Sequence, residues 1–262
     1  MLTRVLPRFG TRRSIRVFER NFAIYRSQWY MLVSGFFEPL FYLLSLGLGL
    51  NHLIGPVGVG GRIVSYATFV APGMLATSSM NGAMIDTIFN TFFRLKVSRS
   101  YEAVLSTPLD VSDVALGEVW WALARAALYS ASFIICMVLL GDAGSAWVVL
   151  CWPGAILTSL AFSCVGLAAC TYLRTWQDFD LVALVQLPLF LFSGTFFPAS
   201  IYPHWIAVIV YFSPLYQSAF LLRSLALGQF HWSLVVPVLY LGLISFVSLR
   251  IAARRFQAIL VP

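Results

Sequence analysis

Charge is what this sequence has least of. Asp, Glu, Lys and Arg make up 10% of its 262 residues, against 60% hydrophobic, where a soluble domain carries roughly 25% charged residues. A water-soluble fold this apolar could not cover its own surface with polar groups, so the surplus faces lipid or another subunit. Histidine is also scarce. His52, His204 and His231 are scattered at or beyond the ends of apolar runs, and neither HExxH nor GxSxG occurs, which leaves a membrane enzyme without an acid–base or nucleophilic constellation. The four cysteines, Cys136, Cys151, Cys164 and Cys170, form no CxxC pair. They read as small packing residues and imply neither a disulfide framework nor a metal site. The only lysine is Lys96, no glycine loop precedes it, and GxxxxGK(S/T) is missing, so the chain brings no phosphate loop of its own. No short apolar stretch with a small-residue cleavage site follows the basic N-terminus, and the first apolar run is expected to stay as a span.

What is present is long apolar runs and an uneven spread of arginine. Ile15, Phe18, Phe22, Tyr25 and Trp29 recur at helical spacing within 11–29, while Arg13, Arg16 and Arg20 form another stripe. That pattern suits an interfacial helix lying on the membrane surface; the alternative is a helix packed on the protein's own cytoplasmic surface. Spans are expected near 30–53, 64–91, 114–140, 147–172, 180–197 and 232–250, with Pro39 kinking the first. Residues 198–230 are apolar enough for a seventh span, but Pro203 and Pro214 divide them into pieces near 204–212 and 215–227. Each rises only about 12–20 Å, too little for a core about 30 Å thick, so a re-entrant or interfacial broken hairpin is expected. With six spans, fourteen Lys/Arg fall inside and two, Arg62 and Arg223, outside. This positive-inside bias puts both termini in the cytoplasm. The basic N-terminus directly precedes an apolar span, which favours a membrane surface over nucleic acid. The expected class is therefore an all-α integral membrane protein of one domain, 1–262.

Glu38, Asp86, Glu118 and Arg125 fall inside the expected spans. Each costs about 2.5–3.5 kcal/mol or more if it faces lipid, so each should face the bundle, pair, or reach an interface. Glu118 lies early enough in its span to reach cytoplasmic water. Arg125 lies deeper and needs a carboxylate, from Asp86 or Glu38, in a pair that either holds a closed state or is simply structural. A proton relay in an ion-coupled secondary transporter is the competing reading. Such proteins show two related halves with interrupted helices in both, and the interruptions here do not correspond.

Three stretches carry a family likeness: "GMLATSSM" in span 2, "RSYEAVLSTPLDVSDVALGEVWWA" between spans 2 and 3, and "LFSGTFFP" at the end of span 5. Together they resemble the permease subunits of ABC-2-type exporters, nearest to the nodulation-factor export branch and more distantly to daunorubicin-resistance permeases. The resemblance implies a bacterial inner-membrane permease that pairs with a second, identical copy and with two copies of a separate ATPase carrying ATP and Mg. This chain would then be no enzyme by itself, with no cofactor of its own. It also implies that the cytoplasmic link between spans 2 and 3 is a coupling helix, here Arg94, Tyr101, Glu102, Val104, Leu105, Thr107 and Pro108. Tyr101, Val104, Leu105 and Pro108 share one face, suited to a groove on the ATPase. The cargo it implies is amphipathic: a lipid, a lipo-oligosaccharide or a hydrophobic drug. The aromatics at 196–220 could contact such a cargo, although aromatics are expected at any membrane interface.

Overall fold

The computed structural model describes residues 14–27, 41, 43–45, 49, 54–59, 61–98, 100–106 and 109–260. Most of these are helical, as expected. Glu38, Thr107, Pro108, Arg13 and Trp29 lie outside the described residues, as does most of the expected first span. Residues 41, 43–45, 49 and 54 are helical, and Leu43 is buried in one apolar cluster with Tyr66, Phe69 and Val70.

The chain opens with α1 (Ser14–Ser27). The glycine-rich stretch between the first two expected spans forms a small antiparallel hairpin of β1 (Val57–Val59) and β2 (Arg62–Val64). Helix α2 (Tyr66–Phe92) begins at Ser65, whose hydroxyl accepts from the Thr68 amide, and runs into a π-helical turn at Phe93–Val97. A short α3 (Ser100–Leu105) leads to α4 (Val111–Leu139), and a 3-10 turn at Ala146–Leu150 opens α5 (Cys151–Cys170). Next come α6 (Phe179–Leu191), α7 (His204–Phe212), α8 (Pro214–Ala226) and α9 (Val235–Leu260).

Helix α2 is the axis of the bundle, packed against α5, α8 and α4. Among the described residues, three helical stretches are long and apolar enough to cross a membrane: Val111–Leu139, Ala146–Cys170 and Trp232–Leu260. Helix α2 has the length but not the apolarity, because Thr77, Ser79, Thr87, Thr91 and other polar residues line it. Its neighbours shield it, so its side chains answer to helix packing rather than to lipid.

Two boundaries differ from expectation. The fifth span stops at Leu191, and Phe192 to Phe197 run without helix, with Gly194 at φ +66°. The last helix runs on to Leu260, ten residues past the expected end, because Ala252 and Phe256 have a core to pack against. The expected break at Pro214 is present: α7 and α8 meet at 82°.

The connections collect at two opposite ends. At the hairpin end, Arg62 donates to the Leu227 carbonyl (3.1 Å) and the Ser145 hydroxyl to that of Ala226 (2.8 Å). At the link end, Trp176 and Phe179 stack on each other and pack edge-on against Phe92, and the Arg255 guanidinium lies 4.0 Å from the Tyr172 ring centre. A second apolar core there joins Leu95 and Tyr101 of the link to Val114 and Val119 of α4, Leu167 of α5 and Phe256 of α9.

Candidate functional site

Helix α4 has 29 residues, roughly 44 Å at 1.5 Å per residue. It overshoots a hydrocarbon core of about 30 Å, which leaves length for its first turns to pack in the second apolar core at the link end. Helix α1 docks there. Gly117 lets it come close, since a Cβ at that position would lie 2.5 Å from Val17 Cβ. Ser14, Val17 and Asn21 form the buried stripe of α1, and Phe18 meets Trp121 edge-on at 5.7 Å.

That approach brings four donors onto one carboxylate. Glu118 Oε1 accepts from Arg94 Nη1, from Arg20 Nη2 at 3.3 Å and from Tyr101 Oη at 3.1 Å; Oε2 accepts from Asn21 Nδ2 at 3.1 Å. Arg20 and Asn21 come from α1, Arg94 from the π turn and Tyr101 from α3. The extra residue of a π turn rotates the chain beyond it, which is how the link reaches back over α4. Glu118 is 5% exposed and Tyr101 fully buried. Burial, then the Glu118 charge, holds the Tyr101 phenol well above its ordinary pKa. Burial and the neighbouring Arg94 lower the Arg20 guanidinium. Burial alone would lower Arg94 as well, but Glu118 and Tyr101 outweigh it and the net direction is up. Arg94 is the more buried of the two guanidiniums and the stronger partner.

Three expectations change here. Glu118 is not solvated at an interface; it is the buried centre of the cluster. Tyr101 does not present a partner-facing surface, because its ring packs edge-on to Phe256 at 6.1 Å and its hydroxyl serves Glu118. Val104 is partly buried against the same core. An apolar face on a six-residue helix collapses onto the nearest apolar surface, and the bundle end supplies it. Glu102 and Leu105 belong to α3, with side chains outside the described set. Lys96, Val97, Ser98, Ser106 and Asp110 point outward instead. For α1 the packing on the protein's own surface is present. Its small-residue stripe packs on the protein, while Ile15 and Phe22 are 52% and 56% exposed, an apolar edge turned away from the bundle. Arg16 is exposed and pairs with Glu19.

One heptad further along α4, Arg125 is buried and paired with Asp86 of α2, as expected of that carboxylate. The pair lines a narrow crevice between the two helices, with Leu75, Ser78, Gly82 and Tyr129. Glu118, Ala122, Arg125 and Tyr129 lie on a single stripe of α4, so the link-end cluster and the α2–α4 pair share one helix face.

Sequence reading missed two features. The Arg20–Glu118 contact joins residues 98 apart, and no local pattern reports it. Arg223 counted only as an external charge, yet it is buried in α8. A lone arginine inside the apolar run "SAFLLRSLA" was the available signal.

Apolar helices around a polar, ion-paired central helix, with a broken hairpin at one end and a charged link at the other, are the build of an integral membrane protein. The chain belongs to the ABC-2 type transporter family, whose model matches residues 15–226. Nodulation protein J of Rhizobium leguminosarum bv. trifolii is 35% identical over 224 residues, 84% of this chain and 83% of that protein. Nodulation protein J of Neorhizobium galegae is 33% identical over 266 residues, 97% of each. More distant is the Inner membrane transport permease YadH of Escherichia coli (strain K12), 26% identical over 165 residues, 60% of this chain and 63% of that protein. The likeness read from the link and the "LFSGTFFP" segment is borne out.

Proposed function

We propose that this chain is the permease subunit of an ATP-driven exporter. It moves an amphipathic substrate (a lipid, a lipo-oligosaccharide or a hydrophobic drug) out of the cytoplasm or inner leaflet. ATP and Mg sit on a separate ATPase, two copies of which dock below a pair of permeases, the second permease being identical. Family membership and the transport-permease relative support this reading. The chain forms one domain with six spans in the bacterial inner membrane. The link end, which carries most of the arginines, lies in the cytoplasm with both termini.

The observation that carries the mechanism is the Glu118 cluster. A push on the link moves Arg94 and Tyr101, and through one buried carboxylate it moves α4 and α1 together. The outward residues Lys96, Val97, Ser98 and Ser106, together with Glu102, Leu105, Thr107 and Pro108 of the same link in sequence, meet the ATPase. Further along the same face of α4, the Asp86–Arg125 pair holds the closed state; Glu38 is a further carboxylate expected inside a span.

Purification from the native membrane tests the reading. An ATPase subunit should accompany the permease, Leu105→Asp or Pro108→Asp should weaken its docking, and the complex in vesicles should export only with ATP. Transport by the chain alone, driven by an ion gradient without ATP, would overturn it.

A further inference from the structure

One buried charge takes no part in the link-end network. Arg223 of α8 is 9% exposed, and among the described residues no carboxylate pairs with it. Carbonyls satisfy it instead. Nε donates to Phe69 O at 3.0 Å, and Nη2 donates to Gly194 O at 3.0 Å and Thr195 O at 3.3 Å. The guanidinium carbon also sits 3.9 Å from the Phe69 ring centre. Three elements meet on this side chain: α8 of the broken hairpin, the first turns of α2, and the irregular segment after α6.

The surroundings are built to this fit. A Cβ on Gly73 would lie 3.0 Å from Thr195 Cγ2 and 3.2 Å from Arg223 Nη2, so a side chain here would press the segment and the arginine away from α2. Gly194 takes a positive φ, and a Cβ there would lie 3.0 Å from Tyr216 Cδ2. The Ser193 and Thr195 hydroxyls, both buried, bond each other at 2.7 Å.

The chemistry explains why an arginine stands here. Helix α6 has 13 residues, roughly 20 Å, so on a path through a core about 30 Å thick the unwound segment still lies within the bilayer. Its carbonyls need donors where lipid supplies none, and Arg223 supplies them. A carboxylate partner would make separation costly, since two buried charges would part. Carbonyl partners leave one charge, which water entering at the hairpin end can solvate together with the freed carbonyls. Such a contact is firm while dry and releasable once wet.

We propose that Arg223 is a positioning residue, the clasp of the gate at the hairpin end. It holds α8 and the 192–197 segment against α2 while the exit is closed, and it lets go when the exit opens. This rests on the exporter reading.

The test uses the permease purified with its ATPase in vesicles. Arg223→Lys and Arg223→Gln remove the multi-carbonyl grip; Gly73→Ala forces the same contact apart with the charge kept. A Thr195→Cys background reports closure by labelling with a membrane-impermeant maleimide without nucleotide. The clasp predicts intact complexes, ATPase rates within about twofold of the parent, export lower by about tenfold, and labelling faster by about tenfold in Arg223→Gln and Gly73→Ala. Unchanged labelling and export in Arg223→Gln overturn it. Where the Arg223 variants fail to assemble, unchanged labelling in assembled Gly73→Ala overturns it as well. A parent complex with no ATP-driven export refutes the exporter reading instead, while the labelling comparison still decides the clasp.

Discussion

Glu118 serves two guanidiniums, an amide and a phenol with two oxygens, and removing it strands Arg94 in a buried site. Glu118→Ala should destabilise the chain by about 3–5 kcal/mol. Glu118→Gln keeps the shape and should cost less, yet uncouple ATPase turnover from export; parallel rates of hydrolysis and transport read this directly. The cluster also has a pH signature. The folded Tyr101 pKa is raised by burial and then by Glu118. Its contribution is therefore complete below the unfolded value of about 10 and is lost as pH rises through the folded value. Thermal unfolding of the purified chain should show no Tyr101-dependent step from neutral pH to about 10 and a loss above it, absent in Tyr101→Phe. For the deeper pair, Asp86→Arg combined with Arg125→Asp should recover part of the export lost in each single variant. No recovery would mean the contact is not a simple exchangeable pair.

Among the elements, α1 has the most to lose from a small change. Its seat on α4 depends on Gly117, so Gly117→Leu should push α1 away and break the Arg20 and Asn21 contacts. Protease cleavage near residue 27 should quicken while α4 and α5 stay protected; equal protection would mean that α1 has another seat. Helix breaks were legible in the sequence because Pro203 and Pro214 act locally: proline removes a donor wherever it stands. Asp86 was legible too, as one of the two carboxylates open to Arg125. The inward turn of Tyr101 was not. An apolar face on a short helix names no partner, and the choice fell to whichever apolar surface the fold brought nearest. Nor did periodicity reveal the hairpin at 57–64, where glycines mask the strand pattern, or the early end of α6, where Ser193, Gly194 and Thr195 interrupt the apolar run only briefly before Phe196 and Phe197.

At the scale of the whole molecule, the two gatherings of connections make a topology test simple. Thiols introduced singly at Gly58 and Asp142, at the hairpin end, should react with an impermeant reagent added outside cells. Thiols at Ser98 and Gln177, at the link end, should react only after the membrane is opened. A mixed pattern at either end would refute the six-span arrangement. The buried polarity of α2 bears on how such a chain is made. A segment this rich in serine, threonine and asparagine partitions poorly into lipid by itself, and it emerges from the ribosome before α4 and α5 exist to enclose it. Its insertion must then be collective: α2 waits at the translocation channel, or slips out of the bilayer, until its sheath arrives. Shortening the chain just after α2 should leave that helix outside the membrane, although the intact protein keeps it at the very centre.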